Sequence, residues 1–292
     1  MIAKIFWIFI CILVLGIVLE YLKKTLVYQP TVANSEKYEK FYEKLSQLSE
    51  SQTYNYGVTT RDGIILDTIY IKNRDTNKCI IFFHGNAGNI SMRFDMINFL
   101  YNYASVIIFD YRAFGKSTGG VMDLSSKNLQ HDAAAIWDFA TTILKIEPNN
   151  ISLVGESLGC SVAITYTAFL SQTMNDKNYP HSLICISPFY SLPSMVNVVF
   201  SKLNVGLLGR FFAVFANSDF RSDKLIRYIN HQTKIILAHS PRDEIVPHSE
   251  GLRLYNCIKD THINSKFINI SGTHNNTAFT DSFIYELAAI FD

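Results

Sequence analysis

The sequence predicts an α/β protein, a mostly parallel sheet wound with helices on both faces. Three observations carry that expectation. Short apolar runs such as Cys79-Ile-Ile-Phe-Phe83 and Val106-Ile-Ile-Phe109 recur along the chain and read as strands buried on both sides. Stripes of apolar residues at helical spacing lie between them. The strands break at loops rich in Gly, Asn and Asp, residues that make turns.

From the N-terminus, Ile5 to Leu19 is apolar throughout, with Lys4 before it and Glu20, Lys23 and Lys24 after it. Fifteen residues make a helix of about 22 Å, shorter than a hydrocarbon core of ~30 Å, but Ile2 and Ala3 extend the run and Trp7 suits an interface. Residues 1–24 are therefore expected to be a membrane anchor. The rival is a cleaved signal peptide, which needs a small-residue site that does not follow Leu19. Residues 25–53 are expected to hold an amphipathic linker helix, because Tyr38, Phe41, Tyr42, Leu45 and Leu48 share one face of Ser35 to Glu50. The catalytic domain is expected over 54–292. A hairpin, Tyr54 to Thr60 and Ile64 to Ile71 around Arg61-Asp62-Gly63, opens it. Strands follow at Cys79–Phe83, Val106–Phe109, Ile151–Val154, Leu183–Ile186, Lys234–Ala238 and Lys266–Ile270. Helices are expected near Ser91–Leu100, Leu129–Leu144, Ser161–Leu170, Ser249–Ile258 and Asp281–Phe291. The long connection before Lys234, about 188–232, carries Met195, Val196, Val198, Val199, Phe200, Leu203, Val205, Leu207, Leu208, Phe211, Phe212, Val214 and Phe215 and is expected to form a helical cap.

A net charge of +1 with no basic stripe gives no nucleic-acid signal. The five cysteines, Cys11, Cys79, Cys160, Cys185 and Cys257, are scattered without a C-x-x-C pair, so neither a zinc site nor a disulfide framework is indicated.

The chemistry lies in the loops. The pattern G-x-S-x-G occurs twice, and context separates the two matches. Gly155-Glu-Ser157-Leu-Gly159 follows a strand at once and runs at once into a helix, as a nucleophile elbow does. Gly115-Lys-Ser117-Thr-Gly119 is separated from its strand by Asp110-Tyr-Arg-Ala-Phe114, and Gly119-Gly120 blocks an immediate helix, so Ser117 reads as a loop serine. Its Gly-Lys-Ser ending is not a P-loop, because Asp110 stands where that motif needs glycine. A serine nucleophile needs a base and a group to orient the base. Asp243 lies just past the Lys234–Ala238 strand and His274 just past the last strand, giving the order Ser157, Asp243, His274. Glu244 is the runner-up acid, and capping of the next helix is the plainer role for Asp243. Among the other histidines, His84, His239 and His248 also border strand ends. The backbone N–H of Leu158 and, from the loop His84-Gly-Asn-Ala-Gly-Asn89, that of Asn86 are the expected oxyanion donors, with Ala87 the alternative.

The segments His84-Gly-Asn-Ala-Gly-Asn89, Asp110-Tyr-Arg-Ala-Phe-Gly-Lys-Ser117, Gly155-Glu-Ser-Leu-Gly159, Asp243-Glu-Ile-Val-Pro247 and Thr273-His-Asn-Asn276 resemble the serine α/β hydrolases of the membrane-anchored, bud-emergence-type group. The resemblance covers Tyr54 to Asp292 and implies an α/β-hydrolase fold with a short helical cap insertion. Two departures stand out: Ala113 replaces a glycine usual in that segment, and Ser240-Pro241 replaces a His-Gly pair usual before the acid. The expected function is a membrane-tethered serine hydrolase acting on carboxylic esters or thioesters, lipid-like acyl groups favoured, with no metal or organic cofactor. A serine peptidase and a catalytically silent interaction protein on the same fold are the alternatives.

Overall fold

A computed structural model of the chain describes residues 27–49, 52–173, 179–206, 209–210, 213 and 219–292, together with residues 7, 10, 14, 16, 20, 21, 24 and 25. The expected anchor, 1–24, falls mostly outside the described residues. Among those described, no helix is long and apolar enough to cross a membrane.

Among the described residues the core is one sheet of eight strands: β1 Thr53–Thr59, β2 Ile65–Ile71, β3 Cys79–Phe83, β4 Ser105–Phe109, β5 Ile151–Glu156, β6 Ser182–Ile186, β7 Lys234–His239 and β8 Ser265–Asn269. Their spatial order is β8-β7-β6-β5-β3-β4-β2-β1. The hairpin strands β1 and β2 pair antiparallel, β2 joins β4 antiparallel, and every other pairing is parallel. Each residue of β3, β4 and β6 is buried, as expected of strands covered on both faces.

Alternation within those runs divides the core into two halves. Cys79, Ile81 and Phe83 of β3, with Ile107 and Phe109 of β4, meet α3 (Ser126–Asp138) and α4 (Leu158–Thr173) through Leu129, Ile136, Trp137 and Val162. Ile80 and Phe82 of β3, with Val106 and Ile108 of β4, meet the other half. That half is covered by α1 (Ser35–Ser49), α2 (Phe94–Tyr101) and α8 (Asp281–Phe291). The helix expected as a linker therefore closes the core: Tyr38, Phe41 and Leu45 of α1 are buried among sheet residues.

The expected helix over Leu129–Leu144 is split, because α3 ends at Asp138 and the chain continues through a wider five-residue turn, Phe139–Ile143. The connection between β6 and β7 carries α5 (Leu192–Lys202) and the short α6 (Ser222–Leu225), and α7 (His248–Tyr255) follows β7. Of its apolar stripe, Leu207, Leu208, Phe211, Phe212, Val214 and Phe215 lie outside the described residues. The described part divides: Met195 and Val196 pack against the core, while Val199 and Leu203 are exposed.

Candidate active site

The parallel strands bring the loops after β3, β5, β7 and β8 to one edge of the sheet. At the end of β5 the chain turns directly into α4, and this turn is held by close backbone contact. A Cβ at Gly159 would lie 2.0 Å from the carbonyl oxygen of Phe83, and one at Gly155 would lie 2.6 Å from Cα of Cys160, so only glycine fits either position. Ser157 between them has φ of 53°, the left-handed region that L-residues other than glycine enter rarely. Its N–H donates to Ile186 O at 2.9 Å across the adjoining strand, and the turn presents its hydroxyl at the sheet edge.

That hydroxyl lies 3.1 Å from Nε2 of His274, and Nδ1 of His274 lies 2.8 Å from Oδ2 of Asp243. A carboxylate only accepts, so Nδ1 of His274 donates to Asp243, and this contact turns Nε2 toward Ser157. Asp243 is buried and fully engaged. Its Oδ1 accepts the N–H groups of Ile245 at 3.0 Å and Val246 at 2.8 Å, and its Oδ2 also lies 3.3 Å from Nε2 of His239. Burial alone would raise this carboxyl, but the bonds from His239 and His274 and the attraction of His274 outweigh it and hold it well below the usual carboxylate range. The main-chain and histidine contacts thus use different oxygens of one group, and the expected cap of the next helix is not formed: α7 follows Pro247 with no side-chain cap, while Oδ1 of Asp243 holds the turn before it. Glu244, the runner-up acid, accepts the main-chain N–H of His274 at 3.0 Å and leaves the imidazole to Asp243. Ser240 joins the two loops, donating to Gly272 O at 2.6 Å while accepting Arg242 N–H at 3.1 Å.

The loop after β3 is fixed residue by residue. His84 is buried, donates from Nδ1 to Gly85 O at 2.7 Å, and packs on the rings of Tyr111 and Phe114. Burial first, then the nearby Arg93, push its imidazole down to about 3, so it stays neutral and shapes the loop. Gly85 N–H points to Glu156 Oε2 at 3.3 Å, Arg93 donates to Ala87 O, and Asn86 sends its side chain to the segment before α1. Leu158, at the start of α4, has an N–H without an acceptor in its own helix.

The second G-x-S-x-G serine has a different setting. Ser117 donates to Asp110 O at 2.7 Å and accepts Asp67 N–H at 2.8 Å, so both capacities of its hydroxyl are used inside the fold. In the same loop Arg112 bridges Asp132, at 2.9 and 2.7 Å, and Asp62, at 2.7 and 3.1 Å, tying it to α3 and the hairpin turn. Ala113 has φ of 65°, which explains physically why glycine suits that position. The remaining histidines have partners elsewhere: His131 with Asp62, His181 with Ile290 O, His248 with Asn269, and His262 with Asn230 O and the His231 ring.

Sequence reasoning did not find Arg93 or the second contact of Asp243. For His239 a signal existed, four residues before Asp243 at a strand end; for Arg93 there was none, because a lone basic residue before a helix is ordinary. Among the described residues, no group of three or more His, Cys, Asp or Glu side chains is arranged to hold a metal ion.

Comparison with known proteins gives these matches. A family model described as alpha/beta hydrolase fold matches residues 78–227. An uncharacterised protein of Acanthamoeba polyphaga mimivirus is 52% identical over 93% of this chain and 92% of its own length. Protein bem46 of Schizosaccharomyces pombe is 25% identical over 96% of this chain and 88% of its own. Among solved structures, an esterase of Pyrococcus furiosus superposes with a TM-score of 0.62 at 19% identity, over 90% of this chain and 94% of that one.

Proposed function

The chain belongs to the α/β hydrolase fold family and resembles its bud-emergence-type members, and from that premise we propose that it is a serine hydrolase cleaving carboxylic esters or thioesters. The observation that carries the proposal is the unbroken series of contacts from Ser157 Oγ to His274 and from His274 to Asp243. Ser157 Oγ attacks the acyl carbon as Nε2 of His274 takes its proton. The carbonyl oxygen becomes an oxyanion facing the N–H groups of Leu158 and Asn86. Collapse breaks the bond to the alcohol or thiol, which leaves with the proton returned from His274, and the acyl group stays on Ser157. Water, deprotonated by His274, then attacks the acyl-serine and releases the acid. Asp243, kept ionised, orients the imidazole and stabilises its charged form in both halves.

A fluorophosphonate probe tests this reading, since it should label the wild type and not Ser157→Ala. Absence of labelling in the wild type would support the silent interaction protein instead. Turnover of a chromogenic ester but not of an aminoacyl anilide would separate esterase from peptidase.

Two finer parts belong to the same proposal. The apolar run Ile5 to Leu19 tethers the protein to a membrane, and its retention on carbonate extraction tests that. Removing residues 1–23 should release the protein while preserving hydrolysis of a soluble short ester; the cut stops before Lys24, which is buried and donates to Met122 O. Lipid-like acyl groups are favoured because the connection over 188–232 is rich in apolar side chains. A fitted chain four carbons longer gains roughly 3 kcal/mol at ~0.8 per methylene. A maximum at acetyl across an acyl series below the micelle threshold would sink that preference.

A further inference from the structure

The loop proposed to supply the second oxyanion donor is held from two directions. On the side of the catalytic domain, Gly85 and Ala87 are fixed by Glu156 and Arg93. Asn86 stands between them, and its side chain reaches away from that domain. Its Nδ2 donates to Val27 O at 2.7 Å and its Oδ1 accepts Gln29 N–H at 3.2 Å. Both ends of the carboxamide are therefore engaged by one short segment of backbone.

That segment continues along the loop. Gln29 and Pro30 pair in parallel with Ala87 and Gly88. Thr31 N–H donates to Gly88 O at 3.3 Å, and Thr31 O accepts Asn89 Nδ2 at 3.2 Å and Gly115 N–H at 3.0 Å. Tyr28 between the contacts is buried, with its ring edge-on to Phe220 at 6.1 Å. A loop with glycine at 85 and 88 has little intrinsic preference for one backbone shape, so external contacts decide where its N–H groups point.

We infer that residues 27–31 form a strap that sets the oxyanion loop, with the Asn86 carboxamide as the positioning group. The inference rests on the reading of Ser157 as nucleophile and of Asn86 N–H as oxyanion donor. The chain between the hydrophobic N-terminus and α1 is then part of the active site's construction and not a spacer. Asn86→Ala removes both contacts. Asn86→Asp keeps an acceptor for Gln29 but sets a carboxylate oxygen against Val27 O. Gln29→Pro deletes one N–H from the opposite side without touching the loop.

The full-length chain and each variant are assayed on a short p-nitrophenyl ester, with affinity measured for an alkyl boronic acid, which forms a tetrahedral adduct on serine. Because the bound ester carries no oxyanion and the charge develops only on the way to the tetrahedral intermediate, kcat should fall roughly ten- to a hundredfold in Asn86→Ala and Gln29→Pro. KM should stay within about twofold, and boronate affinity should fall in step with kcat. Asn86→Asp should fall between Asn86→Ala and the wild type. A merely structural role would lower the melting temperature and the active fraction and leave the boronate constant of the folded fraction unchanged, and that result overturns the inference. Unchanged kcat in Gln29→Pro also overturns it, even if the Asn86 variants do not fold. Ser157→Ala, run alongside, keeps the readings apart: if it still turns over ester, the assignment of the site has failed, whereas an inactive Ser157→Ala beside normal strap variants refutes the strap alone.

Discussion

Gly115-Lys-Ser117-Thr-Gly119 and Gly155-Glu-Ser157-Leu-Gly159 share one pattern and differ in every physical respect that matters. Ser117 donates to Asp110 O and accepts from Asp67, so its hydroxyl is consumed by the fold. Ser157 is held by its backbone, through Ile186 O and a strained φ, and its hydroxyl is left to His274. The glycines differ as well. Gly119 is required by its dihedral, φ of 97°, with Ile64 Cδ1 3.3 Å from where a Cβ would stand, while Gly159 is required by contact with backbone. The proposed nucleophile is thus set apart by what its hydroxyl is not used for.

The largest expected break in this comparison is Ser157→Ala, which should lower kcat/KM for a chromogenic ester by about 10⁴-fold or more. Next comes the glycine pair. Gly159→Ala forces its methyl against the main-chain oxygen of Phe83 and should lower stability in urea titrations by about 3 kcal/mol or more. Gly119→Ala should cost about 1–2 kcal/mol for its left-handed backbone alone. Equal losses would mean that the two turns are held alike.

Asp110, whose carbonyl accepts from Ser117, sharpens the contrast through pH. Burial raises its carboxyl to about 7 against the lowering bonds from Tyr38, at 2.5 Å, and Ile90 N–H, at 2.9 Å. A folded-state value above the unfolded one gives stability that is complete below ~4 and is lost as pH rises through the folded value. Unfolding free energy should therefore decline between about 4 and 7, by up to ~1.4 kcal/mol per pH unit from this group. Asp110→Asn should remove that part of the slope. Smallest is Ser117→Ala, which should leave ester turnover unchanged and lower stability by about 1–2 kcal/mol through the two groups it leaves unpaired.

What was legible in the chain follows from what has a pattern. Strands buried on both faces announce themselves as apolar runs, and β3 to β7 lie within a residue or two of where those runs stand. Ser157, Asp243 and His274 could be singled out because each sits just beyond such a run. The strap could not. A pair as short as Gln29–Pro30 has no periodicity, and its partners lie some 58 residues away in a loop, so only tertiary contact defines it. Arg93 was hidden for the same reason, acting through a carbonyl. The five-residue turn at Phe139 to Ile143 follows the packing of α3 and carries no mark of its own in an apolar helical stripe.

The position of β8 has a consequence for how the molecule would fail. Among the described residues it is the last strand of the sheet and pairs only with β7, so one of its edges has no described strand beside it. His274 hangs five residues beyond it, on a two-residue antiparallel pair, Ser271–Gly272 with Thr277–Ala278. Ser157, by contrast, is rooted in β5, which has strands on both sides. Under denaturant, peripheral elements open at lower free energy than central ones. The imidazole would then part from the hydroxyl while the centre of the sheet is intact, and inactivation would run ahead of unfolding.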